Sequence, residues 1–265
     1  MTVPILQTCL PFAPWMDART WRLPGILPVE GEDWLRLDDA FAAQMAERDR
    51  LIAAQLPLVH ALLPEGRAAA AELYAMVLDR LSRVPGYRLG RTMAERPDGV
   101  TVPLDPTAPL VTLGRLVQED LCLMQPMAGE HGLTGAILCF PANWTLAEKL
   151  GRPLTGIHVP VTPYDGDVAR RVQRLFDAIR PGQALQRYNA LIYDDPVLFQ
   201  PRAEGTHRPP PEKGLYLRSE RQCLLRLPDS GAVVFTIHTH VVRVADLTAE
   251  ARAAMPAAGL VLPGG

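Results

Sequence analysis

The strongest constraint on the fold is a pair of strand-like runs, residues 216–227 and 232–242, rich in β-branched, aromatic and Leu residues and separated by Pro228-Asp229-Ser230-Gly231. A connection this short, built from turn-forming residues, joins its neighbours as a hairpin, so the two runs pair antiparallel. A third run of the same character spans 185–193. Helical patterns come earlier. Leu37, Phe41, Met45 and Ile52 share a face and predict a helix ending before Pro57, while Ala70, Leu73, Val77, Leu81 and Val84 predict a second, stopped by Pro85-Gly86. Helices followed by antiparallel strands define an α+β class.

Between these blocks, 133–140 reads as a buried strand ending at Pro141, and 145–150 as one or two helical turns closed by Gly151. Residues 154–161 read as an extended path confined by Pro160 to an edge or strand end. Asp167 is placed to cap a helix with Val168, Val172, Leu175, Phe176 and Ile179 facing inward, ended by Pro181-Gly182. Residues 1–31, rich in Pro and Gly and carrying Trp15 and Trp21, read as an extended arm. The expected organisation is that arm, a single domain over 32–250, and a tail over 251–265.

With 48% hydrophobic residues in 265, the chain can bury a substantial core. A net charge of -2 and a pI near 6.3 provide no general attraction to nucleic acid or anionic lipid. No apolar run approaches the ~20 residues that span a bilayer, and residues 1–10 lack a basic leader. A cytoplasmic protein without membrane or nucleic-acid partners is the expectation. Cys9, Cys122, Cys139 and Cys223 show no zinc or iron–sulfur spacing and read as reduced, mostly buried thiols. The phosphate-loop, dinucleotide, nucleophile-elbow and HExxH patterns are absent.

Asp38-Asp39 and Asp194-Asp195 are adjacent carboxylates whose side chains point apart, so caps and turns explain them better than an acid–base pair. His60, His131 and His207 read as exposed loop residues. His238 and His240, two apart in a strand, share a face on which a metal is chelated if a third ligand exists; without one, a half-exposed strand face is the simpler reading. His158 lies between Ile157 and Val159, where a neutral imidazole must find a hydrogen bond or a metal. Spacing alone favours a satisfied core histidine.

The order F-P-A-N-W-T-L-A-E-K-L-G (140–151), I-H-V-P-V (157–161), R-Y-N (187–189), L-R-S-E-R-Q (217–222) and R-L-P-D-S-G-A-V-V-F-T-I (226–237) resembles the alpha subunit of haem-dependent oxidative N-demethylases. Residues 24–28, 32–35 and 117–121 extend the likeness, which runs from about residue 11 to residue 245. The resemblance implies a haem-binding PAS-like domain that oxidises a small secondary amine such as dimethylamine with O2. The electrons then come from NADPH through FMN and a 2Fe-2S centre on a partner reductase.

Carried over residue by residue, the resemblance makes His158 the axial haem ligand and Arg187 and Asn189 cofactor contacts at a propionate or, alternatively, partners of backbone groups. It gathers Arg218, Glu220 and Arg221 around gas and substrate, with Glu220 orienting the ammonium or, alternatively, only pairing with an arginine. Strand alternation sets Arg221 on the opposite face from Arg218 and Glu220. Trp144 reads as a core anchor and Lys149 as a cation at a helix C-terminus. One departure is Ala190, where the family tends to have Trp. A haem-based gas or redox sensor and a haem-free interaction subunit are the other readings.

Overall fold

A computed structural model describes residues 3–22, 24–158, 166–206 and 208–263, with only the backbone for His158 and 166–169. The chain opens with α1 (Ala18–Trp21), β1 (Leu27–Pro28), α2 (Phe41–Val59), β2 (His60–Leu62) and α3 (Arg67–Leu81). A small meander of β3 (Arg88–Leu89), β4 (Met93–Glu95) and β5 (Thr101–Pro103) leads to α4 (Pro109–Gly114). Then come β6 (Asp120–Met127), β7 (Glu130–Ile137), and the helices α5 (Leu146–Lys149), α6 (Leu154–His158) and α7 (Gly166–Ala178). Strands β8 (Leu185–Tyr193), β9 (Tyr216–Arg226) and β10 (Val233–Arg243) complete the sheet before α8 (Ala249–Ala254).

The main sheet runs β1-β8-β9-β10-β6-β7-β2 and pairs antiparallel throughout. The class is α+β. Counted along the chain, its five longest strands sit in the order second, first, fifth, fourth, third, with α5 to α7 inserted between the second and third, which is a PAS-like arrangement. The predicted hairpin is present: β9 and β10 pair from Tyr216↔Arg243 to Arg226↔Val233.

Period-two alternation divides the core. One sheet face presents Leu121, Leu123, Cys223, Leu225 and Val234 to the apolar stripe of α2 and α3. The other presents Cys122, Met124, Leu224, Val233 and Ile237 to Leu146 of α5, Leu154 of α6 and Phe176 of α7. This second face carries the candidate site.

Two elements depart from expectation. Pro57 does not end α2; the backbone leaves helical geometry at Gln55 and resumes a last turn to Val59, because Pro57 lacks the amide and clashes with the preceding turn. Residues Leu154–His158, expected to be extended, form a helix instead. Its end groups find partners outside the segment: the Glu130 carboxylate accepts from Thr155 N and Oγ1, and Lys149 Nζ donates to Ile157 O at 2.6 Å. The rest of the expected extended path, residues 159–161, lies outside the described residues, as does His207. His131, expected to be exposed, is buried in β7, with its Nδ1 3.0 Å from Gln173, and His60 is half-buried in β2.

Candidate functional site

The register between β8 and β9 sets Asn189 opposite Glu220 and Arg187 opposite Gln222, so the site is assembled by strand pairing. Glu220 Oε2 accepts from Asn189 Nδ2 at 2.9 Å and Gln222 Nε2 at 3.1 Å, while Asn189 Oδ1 accepts the Glu220 amide. Glu220 Oε1 lies 3.3 Å from Arg218 Nε. Arg218 spends its remaining donors on loop carbonyls, Nη1 to Leu198 O and Nη2 to Phe140 O. Arg218 thus joins the loop after β7 and the loop after β8 to one carboxylate.

Two polar atoms beside this carboxylate are buried and have no partner among the described residues, Arg187 Nε and Thr239 Oγ1. Thr239 sits opposite Glu220 on β10. Burial lowers the Arg187 pKa below its ordinary value, and the Glu220 charge offsets this only partly. A half-buried guanidinium whose Nε is buried without a partner suits an anionic ligand, and a haem propionate has that chemistry. His158 is the last residue of α6, which packs over β7 on this same face, but its side chain is outside the described residues.

The neighbouring F-P-A-N-W-T segment shapes the approach to α5. Asn143 adopts positive φ (66°), a conformation Asn tolerates, and its Nδ2 donates to Tyr193 Oη. Lys149, expected to serve the end of its own helix, crosses instead to Ile157 O and Glu204 Oε1, both at 2.6 Å. Trp144 is half-buried against the cluster that holds Leu146 and Phe176.

Arg221 is on the opposite face, donating from Nε to Gln186 Oε1 at 2.8 Å and pairing with Asp33. Near it lies a second polar cluster. His238 is held between Glu119 (Nδ1···Oε1 2.8 Å) and Asp38 (Nε2···Oδ2 3.0 Å). Burial opposes its charge, yet those carboxylates push its pKa up to about 9. Burial, and then the charge of His238, push His240 down to about 3. Sequence reasoning saw the two histidines but not Asp38 or Glu119, which only tertiary folding brings to them. Asp194 and Asp195 organise turns, accepting from backbone amides of 212–214 and Val197. The thiols of Cys122, Cys139 and Cys223 are buried and Cys9 is exposed; burial pushes Cys139 up to about 12 and Cys223 to about 11.

The molecule is therefore an α+β protein with a PAS-like sheet, one face of which gathers a buried carboxylate and arginine with a half-buried arginine and amide where β8 and β9 pair. Residues 25–260 match the family described as haem-dependent oxidative N-demethylase, alpha subunit-like, and the chain belongs to that family. Among the described residues, no helix is long and apolar enough to cross a membrane.

Proposed function

We propose that this chain is the haem-binding, substrate-oxidising subunit of an N-demethylase acting on a small secondary amine such as dimethylamine. The observation that carries this reading is the buried, unsatisfied Arg187 Nε beside Glu220, in a chain of a haem-dependent family. His158, at the end of a helix secured by Glu130 and Lys149, is the residue that would hold the haem iron. Arg187 and Asn189 are the proposed cofactor contacts, with the Arg187 guanidinium meeting a propionate. When bound, haem supplies an iron at which O2 is reduced and the N-methyl group oxidised, releasing formaldehyde.

The remaining steps belong to this chain's own side chains. Glu220, desolvated and oriented by Asn189 and Gln222, attracts the secondary ammonium and receives its proton at a carboxylate oxygen. Arg218 holds Glu220 and both flanking loops in register and supplies positive charge beside the carboxylate. Arg221 acts from behind the strand, fixing β9 through Gln186 and Asp33. An alpha-subunit role calls for a partner, proposed to be a reductase carrying FMN and a 2Fe-2S centre and drawing on NADPH in the cytoplasm.

Reconstitution with hemin tests the reading. A Soret band in the wild-type chain, its loss in His158→Ala, and weaker haem retention in Arg187→Leu are expected. Formaldehyde release from dimethylamine with a surrogate reductant should fall at least about tenfold in Glu220→Gln with haem content unchanged. No Soret band in the folded wild type ends the proposal; oxygen binding without formaldehyde turns it into a sensor.

A further inference from the structure

A second site lies on the far face of β10, independent of the haem reading. His238 and His240 project from alternate positions of this central strand toward Asp38, which arrives from the segment entering α2. One ligand atom from each of the three lies within 4.8 Å of the others. Asp38 Oδ2 is 3.0 Å from His238 Nε2 and 3.8 Å from His240 Nε2. A tetrahedral zinc ion with bonds of about 2.0–2.1 Å sets its donors roughly 3.3 Å apart, so small side-chain shifts bring these atoms into coordination.

We propose that Asp38, His238 and His240 bind a divalent first-row transition cation, with zinc the closest chemical fit. The surroundings are those of a metal site. Glu119 engages His238 Nδ1 at 2.8 Å, which directs the Nε2 lone pair toward Asp38, the carboxylate–histidine–metal pattern. Glu119 is itself positioned by the Arg36 amide, and Asp38 Oδ1 by the Ala40 amide and Gln118 Nε2. The two guanidiniums at the edge of the cluster, Arg36 and Arg221, both pair with Asp33, which leaves the charges of Asp38 and Glu119 for the site.

A proton on His238 accounts for only part of this arrangement. It bridges Asp38 and Glu119, but His240, 3% exposed, stays 3.8 Å from the carboxylate, beyond hydrogen-bond reach. A cation satisfies both imidazoles and the carboxylate together. Two nitrogens and one oxygen, with no thiolate, suit zinc better than calcium, magnesium or copper(I). Bound there, the ion fastens the entry to α2 onto the central strand, beside Gln7, whose side chain already reaches Asp38 Oδ2 and the Thr239 carbonyl.

The full chain, expressed with zinc in the medium, is assayed for zinc and haem iron separately by mass spectrometry, then stripped with a chelator and titrated with Zn2+ and with Co2+. Expected are about one zinc per chain, cobalt d–d bands of a low-coordinate site, and a rise in Tm of several degrees on adding zinc. His240→Gln should weaken zinc affinity at least about tenfold while circular dichroism and haem uptake stay unchanged. A folded, stripped wild type that takes up neither ion at about 10 µM overturns the site, and so does zinc binding unchanged in both His240→Gln and Asp38→Asn. If stripping unfolds the chain, recovery on adding zinc supports the site, and an as-isolated chain without zinc refutes it.

Discussion

Asp120 and Arg48 are both fully buried, and their Nη1···Oδ1 contact is 2.7 Å. Burial raises the Asp120 pKa, against which Arg48 and the amides of Cys139 and Phe140 all donate to the carboxylate. Arg48 also donates to the carbonyls of Gly114 and Gln118. Removing one partner strands the other charge in the core, so Asp120→Ala is expected to cost about 3–5 kcal/mol in urea unfolding at neutral pH. A loss below about 1 kcal/mol would show that the pair is dispensable. The same carboxylate accepts the Phe140 amide, and the Phe140 carbonyl receives Arg218, so the buried ion pair is linked through one residue to the Glu220 site. This long-range pairing left no trace in sequence spacing, whereas the opposite faces of Arg218 and Arg221 followed from alternation alone.

At the scale of elements, the β9–β10 hairpin is tethered by Glu72 of α3, whose carboxylate accepts from the Asp229 amide at 2.7 Å and the Ser230 amide at 2.8 Å. Burial raises its pKa, but hydrogen bonds from Ser230 and Asp229 outweigh this and hold it below the usual value. The folded-state pKa is depressed, so the tether is at full strength above the unfolded pKa of about 4.3 and is lost as pH falls through the folded value. Glu72→Gln should cost about 1 kcal/mol at pH 7, discounted for partial exposure. Its difference from wild type should shrink as the pH is lowered below about 4.3; an equal loss at neutral and acid pH would mean a packing effect. The hairpin itself was legible because Pro228-Asp229-Ser230-Gly231 is local turn chemistry. Helix α6 was not, since Glu130 and Lys149 complete its ends from outside the segment.

At the scale of the whole molecule, the chain's two ends meet. Trp15 Nε1 donates to Ala251 O at 2.8 Å and Trp21 Nε1 to Ala258 O at 3.0 Å, over a cluster that includes Leu217, Val242, Leu247 and Met255. Ala190 is buried in this same cluster. Trp15→Ala is expected to lower stability by about 3 kcal/mol and speed hydrogen exchange across α8, whereas Trp15→Phe should cost about 1 kcal/mol. Unaltered exchange in α8 would mean that the contact does not hold the C-terminal helix. By itself the sequence determined the α+β class, the antiparallel hairpin and which neighbouring residues of a strand share a face, because turn chemistry and period-two alternation act between near neighbours. Only the tertiary structure decided that Asp38 and Glu119 reach His238, that Glu130 and Lys149 make 154–158 helical, and that Arg187 Nε is buried beside Glu220. Each of those outcomes depends on a partner that chain folding, rather than sequence spacing, brings within hydrogen-bond range.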